Sequence, residues 1–377
     1  MLRTVVGFGA FGLFWGAWGA ILPAVRTESG VDDGELGIAL LMIGLGALVS
    51  MRFTGYLIDR YGGIVLPIVV GLFGLSGVLP ALANSAVTLS AALFLLGATS
   101  GATDVAINAT GSHTEAESGR PLMNLAHGLF SIAVVVASLS TAGLRAAGVG
   151  ALPVLGGVGV LIVALAAFVL APGSKRSGFA NSEPTAKRRL EPVLLVFGGL
   201  CALAYLVENA WQSWSAVHLD TSLHAAPGLA SSAPAVFAAA AATGRIAGNA
   251  LLTRLKPVHL LVSGALLAAL GSLGAATAGN VWLALIGIAA AGLGTSVCAP
   301  TIIGMAGAWA GPAQRAGAIS TVTTIAYLGF LLGPAAVGAA SSVWSLPAAL
   351  GGVAVLAVVV AVLAPVAGRI GERPKDV

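Results

Sequence analysis

Long apolar runs separated by short polar stretches fill almost the whole chain. They lie near 4–25, 35–58, 64–83, 86–110, 121–146, 150–171, 193–218, 230–253, 258–278, 281–308, 315–340 and 345–367. A helix needs roughly 20 mostly apolar residues to cross a bilayer, so the pattern predicts twelve membrane-spanning helices. Spread over 377 residues, twelve spans of that length leave about 11 residues for each connection. No soluble domain of any size fits in the loops. The first run begins at Thr4 after a single Arg3. It is too long for the apolar region of a signal peptide and reads as a retained helix. Only Asn84 and Ser85 separate the third and fourth spans.

Composition agrees. Hydrophobic residues make up 58% of the chain and charged residues 8%, against about 25% charged in a soluble domain. The mean hydropathy is +0.98. Cys201 and Cys298 both lie inside apolar runs, which excludes a disulfide framework and a cysteine-rich metal site.

The net charge of +4 is not spread evenly. Fourteen Lys and Arg residues fall on one set of connections and ends, and two, Arg26 and Arg145, on the other. Arg52 and Arg245 sit within spans near their cytoplasmic ends, where snorkelling is expected. Cytoplasmic loops collect basic residues, so both termini are expected in the cytoplasm and the protein in the plasma membrane. The basic charge is then a topology signal, and no nucleic-acid partner is expected. The polar segment 172–192, PGSKRSGFANSEPTAKRRLEP, reads as a cytoplasmic linker. The expected division is a six-helix bundle over 1–172, a linker over 173–192 and a second bundle over 193–377. Lys187–Arg189 either anchors topology or binds anionic lipid.

The two halves repeat. Trp15-Gly-Ala-Trp18 faces Trp211-Gln-Ser-Trp214 at an offset of 196, and Arg52-Phe-Thr-Gly55 faces Arg245-Ile-Ala-Gly248 at 193. Thr99-Ser100 faces Thr295-Ser296 at 196, and Arg120 faces Arg315 at 195. A parallel repeat implies a two-fold axis along the membrane normal. It also implies a substrate site at mid-membrane and alternating access by rocking of the halves. Glycines four apart, such as Gly97 and Gly101 or Gly329 and Gly333, suit close helix packing in lipid.

A charge near the bilayer centre costs at least about 2.5–3.5 kcal/mol. Asp104 in the fourth span and Glu208 in the seventh are the acids well inside spans. Each must face a cavity, find a partner or bind a proton. Gly97, Gly101, Asp104, Asn108 and Gly111 follow one another at helical steps of three or four. Asn124, His127 and Ser131 share a face of the fifth span, as do Glu208, Trp211, Gln212 and Ser215 of the seventh. Such stripes point to a cavity or to another helix. His127 is placed for a proton relay or for a packing hydrogen bond. Trp15, Trp18, Trp211 and Trp214 either offer flat faces to a solute or form an interfacial belt.

Residues 55–66, GYLIDRYGGIVL, resemble the loop motif of the major facilitator superfamily through Gly55, Leu57, Asp59, Arg60 and Gly62. Gly63 and Ile64 stand where the family has a basic pair. The resemblance implies a gating latch at Gly55, Asp59 and Arg60. The stretch FLLGATSGATDVAINATGSHTEAESGRPLMNLAHGLFSIAVVVA resembles the fucose–proton symporter branch, matching at Asp104, Asn108, Asn124 and Ser131. On that match Asp104 takes the place of the proton-carrying acid. The symporter's second acid has no counterpart between Trp15 and Pro23. WGAWGAILP is similar to an uncharacterised bacterial subgroup of the superfamily.

An all-α membrane protein with two pseudo-symmetric six-helix bundles is therefore expected, acting as a monomer on protons and a small-molecule substrate. Its expected function is proton-coupled symport of a small polar solute such as a sugar. Candidate proton-coupling residues are Asp104, Glu208 and His127. Candidate substrate contacts are Trp15, Trp18, Asn108, Asn124, Ser131, Trp211, Gln212 and Trp214. The alternatives are a proton-coupled exporter, for which the fifth span lacks the usual Gly-Pro, and a non-transporting receptor or adaptor. The sequence carries no phosphate-binding loop, HExxH or GxSxG motif, so neither an enzyme nor a cofactor or metal site is expected.

Overall fold

The computed structural model describes residues 1–119, 122–170, 191–311 and 314–371. Among them every regular element is helical. In chain order these are α1 (Leu2–Ser29), α2 (Asp33–Tyr61), α3 (Val65–Ser76), α4 (Ala86–Ser118), α5 (Met123–Ala146) and α6 (Ala151–Leu170). There follow α7 (Pro192–Thr221), α8 (Ala233–Leu251), α9 (Pro257–Ala276), α10 (Val281–Thr295), α11 (Cys298–Ala310), α12 (Arg315–Val343) and α13 (Leu346–Gly371).

Ten helical stretches are long and apolar enough to cross a membrane. One of them, Asp33–Leu82, holds two crossings, α2 and α3, and another, Val281–Ala310, joins α10 to α11. α8 is less apolar because it carries Thr243, Arg245 and Asn249, yet it is helical over 19 residues. Twelve crossings result, close to the boundaries expected from the apolar runs. The third ends early: α3 stops at Ser76, and the chain continues as a tight turn over Leu79–Leu82 that carries Pro80.

The described residues form two compact units. One holds α1–α6 together with Ala225–Ala235, and the other holds α7 to His224 and the chain from Val236 onward. Most of the expected linker, 173–190, lies outside the described residues.

Helix starts are written locally. Asp32 caps α2 in a reciprocal box with Glu35, Ser85 caps α4 in the same way with Thr88, and Asn280 accepts from Leu283 N at the start of α10. Two other starts are capped from a neighbouring helix. Glu28 of α1 accepts from Ala151 N at 3.0 Å, and Glu115 of α4 accepts from Leu122 N at 2.6 Å and Met123 N at 2.8 Å. Carboxylates suit these positive helix ends.

Glycines set the helix spacing within each unit. A Cβ at Gly101 would lie 2.7 Å from the Ala47 Cα of α2, and one at Gly97 would collide with the Ile43 carbonyl. Gly12 and Gly16 press α1 on the backbone of α5 at Phe130 and Val134, and Gly329 presses α12 on Ala202 of α7. Backbones can approach this closely because no side chain intervenes, which is how helices associate in lipid.

Two prolines break the regular pattern of the second unit. Pro300 has no N–H and its ring crowds the carbonyl four residues back. The chain turns at Ser296–Val297, and the tenth crossing is split into α10 and α11. Pro334 lies inside α12 and frees the Phe330 carbonyl in the same way. Here the side-chain amide of Asn209 in α7 donates to that carbonyl, and Trp214 donates its indole N–H to Pro334 O at 3.1 Å. The Gly-Pro of the eleventh span is thus tied to α7 inside its own unit.

Candidate functional site

In the first unit, Asp104 lies on α4 three residues beyond Gly101, which packs on α2. It is half-buried. Asn108, one turn on, donates its amide to Asp104 Oδ1 at 3.1 Å and to the Asp104 carbonyl at 2.9 Å. His127 of α5 is within electrostatic range of Asp104. Its Nδ1 lies 2.9 Å from the Met123 carbonyl. A carbonyl only accepts, so Nδ1 carries a proton and Nε2 is left for other use. The ring of Phe8 packs 4.7 Å from the imidazole. Ser131 spends its hydroxyl proton on the His127 carbonyl at 3.0 Å. Asp104 and Asn108 are thus joined on α4, and His127 and Ser131 on α5, with His127 the residue that reaches Asp104 electrostatically. Asn124 belongs to α5, but its side chain lies outside the described set.

In the second unit, Glu208 is almost fully buried at the middle of α7. Its Oε1 accepts from Arg245 Nη2 of α8 at 2.7 Å and from Gln212 Nε2 at 3.2 Å. This corrects the expectation that Arg245 snorkels to the cytoplasmic surface: it turns to an internal acid that neutralises it. Sequence reasoning missed the pair because its members stand 37 positions apart. The signal available was an arginine in one apolar span and an acid in the span before it.

The four tryptophans separate. Trp211 and Trp214 are fully enclosed, and Trp211 donates to Ser272 Oγ of α9 at 2.7 Å. Neither presents a ring face to a solute in this conformation, contrary to expectation, because both fill the core between α7 and its neighbours. Trp18 is also buried, its ring stacked at 10° on Phe14. Trp15 is half-buried and meets Phe11 and Phe14 edge-on. Asp59 is exposed and forms no ion pair with a described residue. Arg60 reaches Tyr56 Oη at 3.2 Å and lies over the Tyr61 ring. A Cβ at Gly55 would meet no atom within 4 Å.

Comparison with known proteins agrees with this architecture. Residues 196–376 match the family described as the Major Facilitator Superfamily. An uncharacterized MFS-type transporter of Yersinia pestis is 32% identical over 362 residues, covering 96% of this chain and 94% of the relative. The membrane protein MosC of Rhizobium meliloti is 30% identical, over 89% of this chain and 82% of that protein. Among solved structures, a bacterial homologue of the human lysosomal transporter Spinster superposes with a TM-score of 0.82 at 16% identity, over 100% of this chain and 98% of that one. The E. coli fucose:proton symporter superposes at 0.60 and 15% identity, over 99% of this chain and 98% of that one. The chain belongs to the major facilitator superfamily, and it is a transporter of that superfamily.

Proposed function

We propose that the protein is a secondary active transporter that couples a proton to the uptake of a small polar solute, with Asp104 as the proton site. One contrast carries this reading. Glu208 has a cation at contact distance, whereas Asp104 has an amide at contact and an imidazole within electrostatic range. A membrane-embedded carboxylate without a contacting cation is neutralised at least cost by a proton. His127, with Nε2 unbonded to any described residue, is the relay partner. The fifth span lacks the Gly-Pro of exporters, which favours symport over export. The fourteen-to-two bias of basic residues supports a plasma-membrane location with both termini cytoplasmic. The loop at Gly55, Asp59 and Arg60 acts as the gating element.

Infrared difference spectroscopy of the purified protein between pH 5 and pH 9 tests the proton site without a known solute. A protonated-carboxyl band that persists in Glu208→Gln and vanishes in Asp104→Asn is the expected result. A band that vanishes in Glu208→Gln alone moves the proton site to α7.

A further inference from the structure

Arg245 carries more hydrogen-bond donors than its protein surroundings use. A guanidinium has five N–H donors, and the bond from Nη2 to Glu208 is the one that Arg245 makes to a described residue. Its side chain is 49% exposed, whereas that of Glu208 is 8% exposed. Arg245 is the thirteenth of the 19 residues of α8, too deep for a charge to face lipid at small cost. Its open side therefore calls for a polar neighbour, and no described residue other than Glu208 bonds to it. Gln212, exposed on α7, borders the same carboxylate. The neighbouring Gly244 packs against Leu293 and Ser296, where α10 gives way to α11.

We infer that Arg245 anchors the carboxylate of an anionic solute, with Glu208 as the internal counter-charge that this carboxylate displaces. The inference rests on the transporter reading and names its solute class; it does not rest on Asp104. The direction of exposure selects the charge. The enclosed member of the pair is the acid and the open member is the base, so the site presents positive charge outward. The chemistry selects the shape: a guanidinium fork matches a planar carboxylate with two parallel hydrogen bonds. Charge balance adds a proton. An anion on Arg245 leaves Glu208 without its counter-charge, and the site stays neutral when one proton enters with the anion. Among the described residues, the ionisable groups in electrostatic contact with Glu208 are Arg245, Tyr205, Cys201 and Cys298. Arg245 is the only base among them.

The test is thermal unfolding of the purified full-length protein at pH 6 and pH 8, with lactate, gluconate and glucuronate set against lactamide and glucose. The expected result is that at least one acid raises the midpoint and its neutral counterpart does not. Apparent affinity rises by roughly tenfold per pH unit on acidification, the slope of one linked proton. Arg245→Lys keeps the charge but not the fork, and weakens the acid response by roughly tenfold. Glu208→Gln keeps the response and loses its pH dependence. The double variant Glu208→Gln/Arg245→Gln removes both charges together, so it leaves no unpaired buried charge, and it gives no response. Equal shifts from an acid and its neutral counterpart, a response that survives in the double variant, or no response to any acid overturns the inference. Asp104→Asn retains the acid response whichever way the infrared experiment falls, so the two readings fail separately.

Discussion

The side-chain amide of Asn209 in α7 donates to the Phe330 carbonyl of α12, four residues before Pro334. That carbonyl is the one left without its helical partner by the missing proline N–H. Asn209→Ala should therefore destabilise the protein by about 1 kcal/mol, typical of a hydrogen bond between membrane helices. In a Pro334→Ala background the helix supplies its own donor, and the same change should cost close to nothing. Thermal unfolding of the four proteins of this cycle checks the coupling. Equal costs in both backgrounds would show that Asn209 acts elsewhere.

Asp104 separates binding from coupling. Asp104→Asn mimics a permanently protonated acid, so the carrier should still exchange solute across proteoliposome membranes. Of the accumulation driven by a pH gradient it should lose the share that Asp104 carries, because no proton is released there, and keep the share carried by the proton that enters with an acid at Glu208. Exchange and uptake assays with the acid found by unfolding measure both. Normal gradient-driven uptake in both Asp104→Asn and Glu208→Gln would remove the proton from the mechanism.

Glycine positions divide by what surrounds them. Gly97→Leu should abolish folding or cut the yield of monodisperse protein severalfold, because the added Cβ meets the Ile43 backbone, which cannot give way. Gly55→Ala should fold and unfold as the parent does, since its Cβ meets open space. Size-exclusion profiles and unfolding midpoints report both.

Asp59 is a candidate for a contact made in one transport state. Asp59→Ala should shift the equilibrium between states and raise the labelling of cysteines placed on the cytoplasmic side. Unchanged labelling with normal transport would leave the loop without a gating role.

Topology is open to a direct check. Reporter fusions after Lys187 and at Val377 should both read cytoplasmic, from the fourteen-to-two distribution of basic residues. A periplasmic reading from either overturns the orientation.

The sequence by itself determined the twelve crossings and the polar stripe of α4 and α5. Lipid offers no hydrogen-bond partners, so each crossing must be a helix that satisfies its own backbone, and that requirement is written in about 20 local residues. Asp104, Asn108, His127 and Ser131 were legible because helical spacing alone places them on shared faces. Helix caps at Asp32, Ser85 and Asn280 are equally local. The tertiary structure decided what depends on a second helix. Arg245 looked like a snorkelling side chain until Glu208, 37 positions away, appeared within 2.7 Å. Trp211 and Trp214 looked available to a solute until Ser272 and Pro334 enclosed them. Asn209 gave no signal, because the carbonyl it serves lies 121 positions further along the chain. In each case the deciding term is the desolvation of a polar group, and its sign depends on a partner that packing alone brings near.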